Sequence, residues 1–330
     1  MSAGRTRWGI LGTASIAVRR VIPAIARSAT GVLVAVASRD RARAETVAER
    51  FGIPRAYGSY EALLDDPEVD AVYIPLPNAL HRPWTERAAD AGKHILCEKP
   101  LGVTAQDAAA MVAAASRAGV ILQEAFMYRF HPQIERLAAL VRSGALGAVR
   151  LVRAAFSFTV AEESNIRLEA ALGGGGLLDV GCYCVNVSRL LLGEPEAAFA
   201  SADYERDVDV RLAGALRFPD GRMALVDCGL RSPYRQHLEV VGVEAAVTLP
   251  RPFQPEEDAV ELVIRRGRGQ PDERIEIPGT NQYVRMIDHM GAVIAGAPVR
   301  YPAADAIANL AALDALAAAA RGGGVVPVIR

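Results

Sequence analysis

The sequence lacks several features that whole classes of protein require. Of its 330 residues, 37 are basic and 38 are acidic, which leaves a formal net charge of −1. A protein that tracks a nucleic-acid backbone needs an excess of positive charge, so we expect no nucleic-acid binding. No apolar run reaches the roughly 18 residues that a membrane helix needs. Only a short apolar segment follows Arg5 and Arg7, so we expect no secretory signal and a cytoplasmic location.

Cysteine and lysine are also scarce. The four cysteines match no zinc-ligand spacing and fit reduced, buried thiols, so no metal site is expected. Lysine occurs only at Lys93 and Lys99, whereas the other 35 basic residues are arginine. A lysine retained in such a sequence can do what arginine cannot, by titrating or by fitting a compact ammonium into a site. Chance survival on the surface is the alternative, and composition leaves both open.

The chain is long enough for two domains at roughly 150 residues each. Residues 1–124 alternate short apolar strands with helical patterns, which predicts a doubly wound parallel sheet covered on both faces. Residues 125–330 hold consecutive β-like runs, with a hairpin signal at Pro219-Asp220-Gly221. We therefore predict an α/β chain: an N-terminal Rossmann-type domain, then an α+β domain with a large, mostly antiparallel open sheet. The last helix could pack back on the first domain.

The first predicted strand runs into a turn that opens a helix. Gly12-Thr13-Ala14-Ser15-Ile16-Ala17 stands where a dinucleotide-binding G-x-G-x-x-G fingerprint would stand, but it reads G-x-A-x-x-A. Gly12 keeps the tight turn, and the helix N-terminus still offers N–H groups to a pyrophosphate. Such turns also join strands to helices without any function. The βα units that follow favour the nucleotide site.

The end of the second predicted strand indicates which dinucleotide is bound. The strand runs into Ser38 and Arg39, and Arg43 lies just beyond. A hydroxyl and a guanidinium suit the 2′-phosphate of NADP, whereas NAD binding favours an acidic residue there. Asp40 weakens this distinction, so NADP is favoured over NAD rather than required. The alternative is that these charges solvate a helix start, with Asp40 as its N-cap.

Another parallel strand ends in Cys97-Glu98-Lys99-Pro100. Ligands of such sheets sit at the carboxyl ends of the strands. At that position Lys99 could hydrogen-bond a substrate oxygen and stabilise the negative charge that develops on it.

The sequence resembles the glucose-fructose oxidoreductase / inositol dehydrogenase / rhizopine-catabolism (Gfo/Idh/MocA) family in four segments, at residues 9–17, 37–39, 98–100 and 174–183. These segments occur in the right order, and the resemblance covers essentially the whole chain. The resemblance implies a Rossmann domain, a nicotinamide cofactor and a sugar or cyclic polyol substrate. It also implies a C-terminal sheet that often builds a dimer interface, so a homodimer or homotetramer is expected.

Many family members carry histidine where this chain has Tyr183, four residues after Asp179. This departure resembles the branch with D-xylose dehydrogenases, glucose-fructose oxidoreductase, dihydrodiol dehydrogenases and nucleotide-sugar 3-ketoreductases, and it argues against an inositol dehydrogenase. At that spacing the two side chains share a helix face, and Asn186 lies nearby.

A tyrosine with its ordinary pKa of about 10 is a poor base at neutral pH. A nearby ammonium would lower that pKa by about 1–3 units, and Lys99 is the candidate. The expected mechanism has Tyr183 remove the hydroxyl proton while hydride passes from the same carbon to C4 of the nicotinamide. Asp179 is expected to position the substrate or Lys99 rather than to act as the base. The alternative is that Tyr183 is an ordinary half-buried helix residue.

Other positions are weaker candidates. Leu76, Pro77, Asn78 and His81 are expected to border the nicotinamide, although His81 could equally cap a helix. Tyr128 and Arg129 lie at the predicted domain crossover and could reach substrate or cofactor. Arg167 is similar to a family arginine that approaches the cofactor.

The predicted function is that of an NADP-dependent oxidoreductase acting on a sugar, most simply an aldose 1-dehydrogenase of the D-xylose type. Two enzymatic alternatives remain, a nucleotide-linked deoxysugar 3-ketoreductase and a trans-dihydrodiol dehydrogenase. A dinucleotide-binding regulator without turnover is the alternative from another class. The presence of both Lys99 and Tyr183 argues against it.

Overall fold

A computed structural model describes residues 4–329. The chain divides into two compact units. The first comprises residues up to 102, 106–127 and 281–306, and the second comprises residues 103–105, 128–280 and those from 307 onward. The division differs from the predicted single boundary near residue 124, because residues 281–306 return to the first unit. The last helix, at Asp305–Gly322, belongs to the second unit from residue 307 onward.

The first unit is built on a six-stranded sheet in which every pair of neighbours is parallel. Its strands are β1 (Thr6–Leu11), β2 (Gly31–Ala37), β3 (Arg55–Tyr57), β4 (Ala71–Ile74), β5 (His94–Cys97) and β6 (Leu122–Glu124). Their order is β3-β2-β1-β4-β5-β6, which is the order of the doubly wound dinucleotide-binding sheet. The predicted fold of this part is confirmed.

Helices connect these strands. They are α1 (Ile22–Arg27), α2 (Arg41–Phe51), α3 (Tyr60–Leu64), α4 (His81–Asp90) and α5 (Ala105–Ala118). A π turn at Ala17–Val21 precedes α1. The sequence did not predict β3 or α3, because three and five residues are too few to show a period.

One later helix, α8 (Gln282–Ile294), packs on the first unit, and the Asp288 carboxylate contributes to this contact. Asp288 accepts hydrogen bonds from the Ser28 hydroxyl at 2.5 Å and from the Ala29 amide at 2.9 Å. A Cβ on Gly291 would lie 2.3 Å from the Thr30 hydroxyl oxygen, so this close approach requires glycine. These contacts explain why residues 281–306 join the first unit.

One of the two lysines has a structural role. Lys93 is buried, and its ammonium donates to the carbonyl oxygens of Asp66 at 2.8 Å and Val69 at 2.9 Å. Burial lowers the pKa of Lys93, while the charges of Asp66 and Asp70 raise it. A compact ammonium suits such a site better than a planar guanidinium does.

The second unit is built on a nine-stranded sheet. Its strands are β7 (Val149–Thr159), β8 (Ala197–Glu205), β9 (Val208–Arg217), β10 (Met223–Gly229), β11 (Arg231–Gly242), β12 (Ala246–Leu249), β13 (Val260–Arg265), β14 (Glu273–Ile277) and β15 (Val326–Pro327). Their order is β14-β13-β12-β11-β7-β10-β9-β8-β15. The β7–β10 pair is parallel, and the other pairs are antiparallel. The predicted mostly antiparallel sheet is therefore confirmed.

The helices of the second unit are α6 (Pro132–Arg142), α7 (Cys182–Leu192) and the greater part of α9 (Asp305–Gly322). A π turn at Leu177–Gly181 leads directly into α7. The stretch Ala170–Leu192 is long and apolar enough to cross a membrane by composition, but 67% of its apolar 18-residue window is buried inside the protein. A helix in the core of a folded unit has the same character, so the stretch is weak evidence for a membrane span.

Candidate functional site

Four strands of the first unit end side by side, on the side of the sheet that we call the carboxyl edge. The predicted nucleotide-binding residues follow these strands: 12–16 after β1, 38–43 after β2, 76–81 after β4 and 98–99 after β5. The strand order reverses between β1 and β4, where sheets of this type bind their ligands. The structure therefore brings these predicted residues together within one unit.

The turn after β1 requires glycine. Gly12 has a φ of +116°, which side-chain-bearing residues rarely adopt. Its amide donates to the Ala37 carbonyl at 2.8 Å, and a Cβ would lie 3.2 Å from the Leu76 side chain. The helical segment that begins at Ala17 directs its N-terminal amides to this turn. A glycine turn at the start of a helical segment is where dinucleotide-binding sheets of this type hold a pyrophosphate.

In the turn after β2, the carboxylate of Asp40 is already engaged in contacts within the protein. Asp40 caps α2 by accepting from the Ala42 amide at 3.0 Å, and it also lies 3.5 Å from the Arg43 guanidinium. The Ser38 hydroxyl accepts from the Asp40 amide at 3.2 Å. Arg39 and Arg43 are exposed. Burial raises the pKa of Tyr60, whereas the charge of Arg39 and a hydrogen bond from it lower that pKa. This arrangement fits a 2′-phosphate better than a 2′-hydroxyl.

The strand end that carries Lys99 is fixed by a buried tyrosine. The Tyr73 hydroxyl on β4 donates to Glu98 Oε1 at 2.5 Å, and the Lys99 amide donates to Glu98 Oε2 at 3.2 Å. Burial and the charge of Glu98 raise the pKa of Tyr73 well above its ordinary value, so Tyr73 stays a proton donor. Sequence reasoning missed Tyr73, although a lone tyrosine in a buried aliphatic strand needs a polar partner.

His81 links two loops of the carboxyl edge. It is fully buried, with Nδ1 2.9 Å from the Pro100 carbonyl oxygen and Nε2 2.8 Å from the Leu76 carbonyl oxygen. Burial lowers the pKa of His81. Both ring nitrogens face backbone carbonyl groups, so this placement differs from the predicted direct contact with the cofactor. His81 holds the loop after β4 against the loop after β5.

In the second unit, Arg167 and Asp179 form an ion pair. Arg167 Nε lies 2.7 Å from Asp179 Oδ2. Four consecutive glycines at residues 173–176, which we call the glycine run, bring them together. The Gly175 amide donates to the Arg167 carbonyl at 2.9 Å. A Cβ on Gly174 would lie 2.5 Å from the same carbonyl oxygen. The structure thus pairs two residues that the sequence treated as separate candidates.

Tyr183 lies in a cluster of aromatic rings. Its ring centroid is 5.7 Å from that of Tyr128, 5.5 Å from that of Phe156 and 5.4 Å from that of Phe253. Tyr183 is only 3% exposed, so it is more deeply buried than an ordinary half-buried helix residue. Sequence reasoning missed Phe253, because nothing local indicates that its loop reaches α7.

Tyr128 and Arg129 join a buried polar network instead of an open surface. The Tyr128 hydroxyl donates to Asn186 Oδ1 at 2.5 Å, and Arg129 Nε donates to the same oxygen at 2.7 Å. The Asn186 amide nitrogen lies 3.3 Å from Asn309 Oδ1. All four residues are buried. These contacts hold one side of Tyr128 and Arg129 inside the second unit, and their reach to substrate or cofactor stays a prediction.

Within residues 4–329, no three His, Cys, Asp or Glu side chains form a group that could hold a metal ion. All four cysteines are buried, and none forms a disulfide. Burial raises the pKa of Cys97, Cys184 and Cys228 well above the ordinary value, so these thiols are uncharged.

Two family models match consecutive parts of this chain. An oxidoreductase-family model with an NAD-binding Rossmann fold matches residues 6–126, and a Gfo/Idh/MocA C-terminal domain model matches residues 134–248. A curated relative, D-xylose 1-dehydrogenase (NADP(+)) 2 of Haloferax volcanii, is 42% identical over 97% of this chain and 98% of its own length. The chain belongs to the Gfo/Idh/MocA oxidoreductase family. The predicted family is confirmed.

Solved structures of other Gfo/Idh/MocA proteins have the same fold along the whole chain. A 3-ketoreductase from Actinomadura kijaniata, in complex with NADP and TDP-benzene, has a TM-score of 0.91 and 34% identity, covering 96% of this chain and 98% of its own. An aldose-aldose oxidoreductase from Caulobacter crescentus has a TM-score of 0.90 and 33% identity, covering 98% and 99%. Variants of the ketoreductase with one lysine or one tyrosine replaced also match.

Proposed function

We propose that this Gfo/Idh/MocA protein is an NADP-dependent oxidoreductase of sugars, most simply an aldose 1-dehydrogenase of the D-xylose type. The proposal that the cofactor is NADP rests on the turn after β2, where Arg39 and Arg43 are exposed and Asp40 is engaged as a helix cap. Full-length similarity to an NADP-dependent D-xylose 1-dehydrogenase supports the substrate class.

The first unit is the proposed cofactor-binding domain. Bound NADP would supply hydride transfer at C4 of its nicotinamide ring. The Gly12 turn and the amides of residues 13–16 would receive the pyrophosphate, and Ser38, Arg39 and Arg43 would hold the 2′-phosphate. Leu76, Pro77 and Asn78 would border the nicotinamide. His81, Tyr73 and Glu98 keep these loops in place through the contacts described above.

The second unit is the proposed substrate domain. Tyr183 takes the proton of the substrate hydroxyl during oxidation and returns it during reduction. The Lys99 ammonium would stabilise the negative charge that develops on the substrate oxygen. Asp179, paired with Arg167, orients the substrate. During oxidation Tyr183 would thus hold the proton of the substrate hydroxyl, and bound NADP⁺ would supply the hydride acceptor.

A homo-oligomer through the second sheet is part of the proposal, together with a cytoplasmic location. One face of this sheet packs on helices, whereas the other exposes large apolar side chains on the two strands that flank β9, where Ala215 lies between Phe199 and Leu225. These are Phe199 on β8 and Met223 and Leu225 on β10. A contiguous apolar patch of this kind on a sheet face is typical of a subunit interface.

The first experiment follows nicotinamide absorbance with NADP⁺ and with NAD⁺ over a panel of free aldoses, cyclic polyols and dihydrodiols. Saturable turnover of a free aldose with NADP⁺ is expected. Replacing Tyr183→Phe or Lys99→Met should lower kcat by about 10²-fold or more and leave NADPH binding intact. Tyr204→Phe, at an exposed tyrosine, is the matched control and should change neither.

A 3-ketoreductase of nucleotide-linked deoxysugars is the second candidate, favoured by the structural similarity to the Actinomadura kijaniata enzyme. If no substrate of the panel is turned over while NADPH still binds tightly, the free-sugar dehydrogenase is refuted and the 3-ketoreductase is favoured. A dihydrodiol as the sole substrate would favour the dihydrodiol dehydrogenase. Binding of NADPH with no turnover of any of these substrates, nucleotide sugars included, would indicate the regulator.

A further inference from the structure

The glycine run before α7 closes around one carboxylate of the second sheet. Gly175 has a φ of +115°, and a Cβ there would lie 2.3 Å from Asp209 Oδ1. A Cβ on Gly176 would lie 3.2 Å from Asp209 Oδ2. Any side chain at either position would push the turn away from Asp209, so the glycines are explained by this contact.

The same carboxylate caps the start of the helix that carries the proposed catalytic groups. Asp209 Oδ2 accepts from the Leu177 amide at 2.6 Å. Leu177 is the first residue of the π turn that contains Asp179 and leads into α7 with Tyr183. A negative charge at a helix N-terminus satisfies free amides and interacts favourably with the helix dipole.

Asp209 is held firmly from its own side. It lies on β9 opposite Tyr204, just after a tight turn in which Arg206 and Asp207 have φ values of 49° and 65°. Two consecutive residues of positive φ are typical of the hairpin turn that fixes strand register. The position of the carboxylate is therefore set by the sheet.

Few groups offset the charge of Asp209. Arg321, on α9, is the cation that faces it, and the uncharged Cys228 thiol lies on the neighbouring strand β10. Burial raises the pKa of Asp209 to about 6, although hydrogen bonds from the backbone, that of Leu177 first, lower it. The carboxylate thus titrates at about pH 6.

We infer that Asp209 is a positioning residue for the reaction: its ionised carboxylate fixes the glycine turn, and thereby the places of Asp179 and Tyr183 relative to the substrate. This inference rests on the proposed function for its effect on turnover. As pH falls through the pKa of Asp209, its charge-assisted hydrogen bond from the Leu177 amide becomes a weaker neutral one. The direction of the turn is then fixed less closely, even though protonation stabilises the folded protein as a whole. Turnover therefore decreases below about pH 6 in the wild type.

Two variants test this role from opposite sides of the contact. Asp209→Asn keeps the size of the side chain and removes the charge, and Gly175→Ala places a methyl group against Asp209 Oδ1. The controls are Asp207→Asn, in the exposed turn, and Gly193→Ala, where φ is also positive but no atom lies within 4 Å of the added Cβ.

Both test variants should lower kcat by about tenfold or more, because small displacements of reacting groups are costly. The KM for NADP⁺ should stay within about twofold, since the first unit is unchanged. The kcat of the wild type should decrease as pH falls through about 6, whereas the kcat of Asp209→Asn should not show this decrease. Both controls should keep the kcat and the pH profile of the wild type, although Gly193→Ala should lower stability because of its positive φ. A kcat for Asp209→Asn equal to that of the wild type, with the same pH profile, would overturn the inference.

Hydrogen exchange of residues 173–183 supplies a readout that needs no substrate. At one fixed pH near 7.5, exchange in this segment should be about tenfold faster in Asp209→Asn than in the wild type or in Asp207→Asn. If the wild type turns over no substrate, the proposed function fails, and this exchange difference alone decides whether Asp209 positions the turn. Unchanged exchange would refute the positioning role.

Discussion

Replacing Asp209 by asparagine is expected to change how the stability of the protein depends on pH. Burial raises the pKa of this carboxyl from its ordinary value of 3.8 to about 6 in the folded protein. The folded state therefore binds the proton more tightly than the unfolded state does. The stabilisation of the folded state by the proton on Asp209 is fully present below about pH 4 and is lost as pH rises through about 6. Asparagine cannot titrate, so the variant lacks this loss.

The size of the effect follows from the shift. One pKa unit corresponds to about 1.4 kcal/mol, so a shift of about 2 units corresponds to about 3 kcal/mol. Between about pH 4 and about pH 7.5, the free energy of unfolding of the wild type should therefore fall by about 3 kcal/mol relative to Asp209→Asn. A constant offset between the two proteins, from altered hydrogen bonds to Leu177, does not affect this change.

Urea unfolding at four or five pH values, followed by far-ultraviolet circular dichroism, measures the difference directly. Asp207→Asn removes the same formal charge from the exposed turn nearby and should follow the wild type. The difference in the free energy of unfolding between Asp209→Asn and the wild type could stay constant with pH or change in the opposite direction. Either result would show that the ionised carboxylate does not destabilise the folded protein. In the expected case, Asp209 lowers stability at neutral pH where catalysis needs its charge, as functional residues often do.

Three further predictions concern other residues. Arg39→Ala should weaken NADP⁺ binding about tenfold or more in a fluorescence titration and leave NAD⁺ binding nearly unchanged, because a phosphate contact is lost; equal weakening of both would contradict its role. Tyr73→Phe removes the hydroxyl that donates to Glu98 and should destabilise the protein by about 2 kcal/mol while lowering kcat, which unfolding and turnover assays would show. Lys93→Met leaves two carbonyl groups without their donor and should cost about 2–4 kcal/mol of stability with kcat unchanged; an unaltered unfolding midpoint would refute the structural role.

Much of the architecture could be predicted from the sequence, because it is written in local patterns. The hairpin predicted at Pro219-Asp220-Gly221 lies between the antiparallel strands β9 and β10. The Gly12 turn and the strand ends at the carboxyl edge were also predicted, since each follows a short apolar strand. Within each unit, the chain brings most candidate residues to the ends of elements that the sequence identified.

What could not be predicted depends on contacts between distant parts of the chain. Asp288 meets Ser28 across 260 positions, and no pattern near either residue indicates it. His81 had the features of a helix cap or a ligand contact, and only the fold shows that both its nitrogens face carbonyl groups. The glycine run before α7 was noticed as a motif, but the carboxylate that explains it lies on β9. Tyr73 was missed because its partner is on another strand.

The return of residues 281–306 to the first unit has a consequence for protein synthesis. The ribosome releases all six strands of the parallel sheet before the sequence of α8 exists, so this part of the nascent chain emerges without Asp288 and Gly291. Its loop at Ser28 and Thr30 then keeps polar groups that no carboxylate has yet satisfied. The first unit therefore completes its folding only after nearly the whole second sheet has been made, and shortened chains that stop before α8 are expected to be substrates for chaperones and proteases.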